Sequence, residues 1–193
     1  MVLPIVSYGN EILITESRKI DEDSEEVQNL IDDMWLTLYT ANGAGLAAPQ
    51  IDQSLKLFIV DSLQSYQSMN KHNRERYFTG DSGIKQTFIN ATIEEYSEEK
   101  WIDREGCLSM PGFAVDVERS WSIVIRYLDD QFVEHKQQFE GLSARMIQHE
   151  YDHTRGILFL EYLSSFRKTL LMDKLNAIEE GKIHTSYPMK YPE

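Results

Sequence analysis

Two histidines four residues apart, with a glutamate beside the first, occur at His149-Glu150-Tyr151-Asp152-His153 and fit the pattern H-E-x-x-H. On an α-helix, residues i and i+4 share one face with Cβ atoms about 6 Å apart, so both imidazoles can grip one metal ion while Glu150 stands next to it. The chemistry implied is hydrolysis by a metal-activated water whose proton the carboxylate handles. A solvated helix face carrying the same residues is the plain alternative, and the rest of the chain has to decide.

The uses of this pattern differ in the third ligand. The metzincin extension H-E-x-x-H-x-x-G-x-x-H finds its glycine at Gly156, but Phe159 stands where its last histidine belongs. A thermolysin-like site needs a glutamate from a later helix, and Glu179 or Glu180 can be nominated, although both fall at the fraying end of that helix. The remaining option is a thiolate from upstream. Cys107 is the single cysteine of the chain, so it has no internal disulfide partner; its interest lies in packing, nucleophilicity or metal binding. Cys107, His149 and His153 would leave a fourth position for water, the open arrangement a catalytic metal requires.

The elements that must position these groups can be read from pattern. Gly141-Leu142-Ser143 starts the helix that carries the histidines, with Leu142, Met146, His149 and His153 on one face. Cys107 sits in Glu105-Gly106-Cys107-Leu108-Ser109-Met110-Pro111-Gly112, a bend between strand-like segments. Those strands are expected at 86–93, 95–102, 113–117, 121–128 and 132–139, with an Asp129-Asp130 turn between the last two. Upstream, Asp23 as N-cap and Glu26 suggest a capping box. The apolar stripe of Val27, Leu30, Ile31, Met34, Trp35 and Leu38, opposite Asp32, Asp33 and Thr37, predicts a core-facing helix. That helix cannot continue through Gly43-Ala44-Gly45-Leu46-Ala47-Ala48-Pro49-Gln50, whose small residues suit either close approach of another backbone or a simple loop. Leu55–Asp61 reads as a buried strand, 62–85 as a surface insertion with His72 solvated, and 182–193 as a tail with His184 solvated. Ser165 opens a last helix with Phe166, Leu170, Leu171, Leu175 and Ile178 inward and Gly181 closing it.

A length of 193 residues suits one domain, 1–193, and the net charge of −13 argues against specific binding of nucleic acid or anionic membranes. Met1–Tyr8 lacks a basic region followed by a long apolar run, and no segment approaches the ~20 apolar residues of a membrane span, so the expected location is cytoplasmic.

Taken in order, Gly43–Gln50, Glu105–Ser109 and His149–His153 resemble the three signature motifs of the peptide deformylases, the family that removes the formyl group from the initiator methionine of nascent bacterial or organellar proteins. The resemblance runs from the Tyr8-Gly9 start to the C-terminal helix. It implies Cys107, His149 and His153 as metal ligands and Glu150 as general acid/base. Gln50 and the backbone N–H of Leu108 would be donors to the formyl oxygen. Ala44, Gly45 and Leu46 would pair with the substrate backbone, and Glu105 would serve as an anchor on the ligand or substrate side. Leu142 and Met146 are the candidates for the methionine pocket, against the alternative that both simply pack in the core. Ala44 and Ala114 depart from the family's usual larger aliphatic and arginine, which leaves side-chain preference open.

The implied ion is Fe²⁺, with Zn²⁺, Ni²⁺ or Co²⁺ able to occupy the site, and thiolate with imidazoles also suits Zn²⁺ on softness grounds. The expected partner is the N-formyl-Met end of a nascent chain, with transient ribosome contact and a monomeric enzyme. The fold expected is α+β, mixed and mostly antiparallel sheets around the metal-binding helix, with N- and C-terminal helices outside. A zinc endopeptidase using a downstream glutamate, and a structural or sensing metal site without catalysis, are the readings that compete.

Overall fold

The structure, a computed structural model, describes residues 1–192. In chain order it contains β1 (Ile5–Val6), α1 (Glu25–Thr40), β2 (Gly45–Ala47), β3 (Leu57–Asp61), α2 (Ser62–Ser68), α3 (Lys71–Tyr77), β4 (Lys85–Tyr96) and β5 (Lys100–Cys107). There follow β6 (Met110–Ser120), β7 (Ser122–Leu128), β8 (Glu134–Glu140), α4 (Gly141–Thr154), α5 (Ser165–Glu179) and β9 (Met189–Lys190). Short 3₁₀ turns lie at Glu11–Ile14, Ala48–Ile51 and Phe159–Tyr162.

Alternation along β3 explains the layering. All five of its residues are buried. Leu57 and Ile59 meet Ile31, Met34 and Leu38 of α1, while Phe58 and Val60 meet Ala144 and Ile147 of α4. Successive strand side chains point to opposite faces, so the sheet is covered by α1 on one side and by α4 on the other. The sheet runs β2-β3-β4-β7-β8 and every pairing in it is antiparallel. β5 and β6 form a separate hairpin, and β1 pairs in parallel with β9. The architecture is therefore the expected α+β arrangement, with mostly antiparallel sheets around α4.

Several local expectations need correction. Ser24, not Asp23, caps α1 by accepting from the Val27 N–H at 3.3 Å, while Asp23 accepts from Gln28. Thr37 is buried rather than solvated, because its Oγ1 accepts the Leu3 N–H at 2.9 Å and so needs no water. β4 continues through Glu94 to Tyr96 by means of register shifts after Ile89 and Ile93, so the strand break falls at 97–99. On α5 only Leu175 and Ile178 are fully buried; Phe166 and Leu170 are 73% and 67% exposed, because the helix lies against the molecule by its C-terminal half. The 62–85 segment holds α2 and α3, and its Ser62 is buried against Ser143 of α4 at 2.8 Å. The described part of 182–193 is a folded strap whose strand β9 joins β1.

Candidate metal centre and its cleft

One helix and one hairpin make the centre. α4 brings His149 and His153 one turn apart, with ring centroids 5.0 Å from each other. β5 ends at Cys107, and Leu108 and Ser109 turn the chain into β6, with Cys107 facing Met110 across the hairpin. One donor atom each from Cys107, His149 and His153 lies within 4.8 Å of the others, and Cys107 Sγ is 3.3 Å from His153 Nε2. Two ligands at ~2.3 and ~2.1 Å in a tetrahedral shell would stand ~3.6 Å apart, so the donor set fits one ion. The fit is also chemical: a thiol and two imidazoles are the softer donors that a zinc- or iron-type ion takes. Glu179 instead lies against Gly9 and Glu180 pairs with Lys182 at 2.7 Å, so neither takes part.

A buried charge network fixes the histidine helix to the hairpin. Arg119 on β6 grips Glu105 on β5 with two hydrogen bonds, 2.7 and 2.9 Å, and reaches Asp152 on α4 at 2.8 Å. Arg145 adds a bond of 2.6 Å to Glu105, and Tyr162 donates to Asp152 at 2.8 Å. Glu105 Oε2 meets His149 Nδ1 at 3.0 Å. A carboxylate accepts, so Nδ1 carries the proton in that contact and Nε2 keeps its lone pair for an ion. Burial pushes the Glu105 carboxyl up, but His149 and Arg119 outweigh it and hold it well below the usual range. Arg119, Arg145, Asp152 and Tyr162 were not picked out from sequence. The available signals were the aspartate inside the motif and an arginine on the apolar flank of the same helix.

Glu150 projects from α4 beside the ligands. Its Oε2 is buried without a hydrogen-bond partner, and burial, countered first by His149, pushes its pKa up to about 7. His149 is raised well above the ordinary value: burial works to lower it, and hydrogen bonds that its ring donates to Cys107 and Glu105 overcome that. His153 is lowered by burial and by the neighbouring His149.

The centre opens into a cavity of about 520 Å³. Gly43, Ala44 and Gly45 form one border, Glu105–Leu108 another, and Leu142, Met146, His149 and Glu150 the floor. Gly45 packs so closely on Glu150 that a Cβ there would overlap the carboxylate. β2 has a partner strand on one side only. Gln50 reaches in from the turn after β2: its Oε1 accepts the Ala47 N–H at 2.9 Å, and its Nε2 points at Cys107 Sγ, 3.3 Å, and Ser109 Oγ, 3.2 Å. Leu46 stands apart from the other site candidates, since its side chain is fully buried in the core beneath α1. His184, exposed as expected, nevertheless joins Thr185, Ser186 and Tyr187 in lining the mouth.

Comparison with known proteins finds likeness along most of the chain. A family profile described as polypeptide deformylase matches residues 2–169. A peptide deformylase of Christiangramia forsetii is 41% identical over 192 residues, covering 100% of this chain and 97% of its own. That of Cytophaga hutchinsonii is also 41% identical, covering 100% and 98%. The crystal structure of a peptide deformylase from Ehrlichia chaffeensis superposes with a TM-score of 0.81 at 30% identity, covering 94% of this chain and 99% of that one. A plant peptide deformylase gives 0.80 at 29% identity, covering 98% and 96%.

Proposed function

This chain belongs to the polypeptide deformylase family, enzymes that remove the N-formyl group from nascent chains, and we propose how its own side chains divide that hydrolysis. The observation that carries the assignment is the triangle of Cys107, His149 and His153 donors with a buried, unpartnered Glu150 beside it, at the floor of a cleft bordered by an open strand edge. The three ligands would hold one divalent ion, which when bound supplies Lewis acidity and lowers the pKa of water toward ~7. Fe²⁺ is the ion we assign in the cell, with Zn²⁺, Ni²⁺ or Co²⁺ able to replace it.

Glu150 takes a proton from the attacking water and delivers it to the departing amine. A carboxyl titrating near neutrality can do both. Gln50 Nε2 and the Leu108 N–H donate to the formyl oxygen as it gains charge, a type of contact whose loss costs ~10²–10³ in rate. Gly45, with Ala44 and Leu46, offers backbone groups at the open edge of β2 to an extended peptide by strand addition. Leu142 and Met146 receive the methionine side chain. Glu105 acts through His149, whose ring it orients. The enzyme works in the cytoplasm as a monomer with transient ribosome contact.

Formate release from formyl-Met peptides, with metal analysis of the same sample, tests the assignment. Glu150→Gln keeps its metal and loses about 10²–10⁴ in kcat, whereas Cys107→Ser loses metal. A Cys107→Ser protein that retains both metal and rate would sink this ligand set.

A further inference from the structure

The first and last strands meet beside the turn that carries Cys107. β1 and β9 are joined by the Ile5 N–H to Pro188 O and the Ser7 N–H to Lys190 O, each 2.9 Å. From this small sheet two groups reach the same hairpin turn. The Tyr187 hydroxyl donates to Leu108 O at 2.8 Å, and the Tyr8 N–H donates to Ser109 O at 2.9 Å. Leu108 and Ser109 are the two turn residues of the β5–β6 hairpin, so each carbonyl of the turn is held by a different end of the chain. Tyr187 also packs with Leu108 against the core beneath α1, and the three residues before it line the cleft. Burial first, then Cys107 and Tyr191, push the Tyr187 hydroxyl up to about 12, so it remains a donor throughout the neutral range.

We propose that Tyr187 is a positioning residue: its bond to Leu108 O, with that of Tyr8 to Ser109 O, locks the turn that presents the Leu108 N–H and Cys107 Sγ, making the strap at 184–187 a working wall of the active site. A two-residue turn with free carbonyls can rotate its peptide planes at little cost. The Leu108 N–H lies on the peptide between Cys107 and Leu108. That plane is constrained by β5 on one side only, unless the next plane is also fixed. The Tyr187 hydroxyl supplies the second constraint from a part of the chain distant in sequence. This inference rests on the assignment of the Leu108 N–H to the formyl oxygen.

Tyr187→Phe removes the hydroxyl and keeps the ring. We expect kcat for a formyl-Met tripeptide to fall about tenfold with KM and metal content unchanged, since a misdirected donor is missed chiefly in the transition state. The Leu108 amide resonance, followed by NMR on the same protein loaded with Zn²⁺, should shift and broaden while those of α1 stay as they were. A purely structural role would lower Tm and leave kcat of the folded enzyme alone. A kcat within about twofold of the parent, or a loss confined to KM, overturns the inference. If the parent itself releases no formate, the family activity fails for this chain, and an unaltered Leu108 amide resonance then overturns the positioning role separately.

Discussion

Glycine at position 45 answers to the carboxylate of Glu150. A Cβ at that site would overlap the acid that the reaction depends on, and the strand edge that receives the peptide would have to retreat. Gly45→Ala should therefore leave metal content unchanged and lower kcat by about 10²-fold, the cost typical of displacing a catalytic group by ~1 Å. Formate release under saturating peptide checks this, and a loss of less than about threefold would mean that Glu150 has room to yield. At this scale much of the centre was legible beforehand. Helical periodicity alone puts His149 and His153 on one face with Glu150 adjacent, and scarcity singled out Cys107 among upstream ligands. The tyrosine on Leu108 O was not legible, because the pair is separated by 79 residues and nothing local marks either partner.

Between elements, the joint that matters is α4 to the β5–β6 hairpin, since one ligand comes from the hairpin and two from the helix. Arg119 is that joint: its side chain reaches along the hairpin to Glu105 and across to Asp152 on the helix, all buried. Removing one member of such a set leaves uncompensated buried charge. Arg119→Met should destabilise the protein by about 3–5 kcal/mol in urea unfolding, and weaken metal binding ~10–100-fold as His149 loses its fixed orientation. An unchanged metal affinity would detach the network from the centre. Sequence pattern found the strands and helices here but not the joint. Whether Arg119 meets Glu105 depends on hairpin register, which alternation alone does not set. The same limit explains α5: its apolar positions repeat at helical spacing, but which of them are covered is decided by where the helix is docked. Phe166 and Leu170 consequently stay in water.

For the whole molecule, the ion and the fold are coupled through protons. Without a metal, His149 is raised above its ordinary value by Cys107 and Glu105 acting against burial, and Glu150 is raised to about 7 by burial. Both groups hold protons more tightly folded than unfolded, so their contribution to stability is complete below the unfolded pKa values and declines as pH rises through the folded ones, while His153, held below its ordinary value, works in the opposite sense. An ion reverses this, because it requires His149 neutral and Cys107 as thiolate, and binding releases their protons. Because ligation releases protons, the Tm gained on loading should grow between pH ~5 and ~8. Chelation should lower Tm by more at pH ~8 than at pH ~6, reversibly on re-addition of Co²⁺ or Zn²⁺. The net charge of −13 acts in both states and cancels from this comparison. A Tm gain that shrinks as pH rises would contradict ligation by His149 and Cys107.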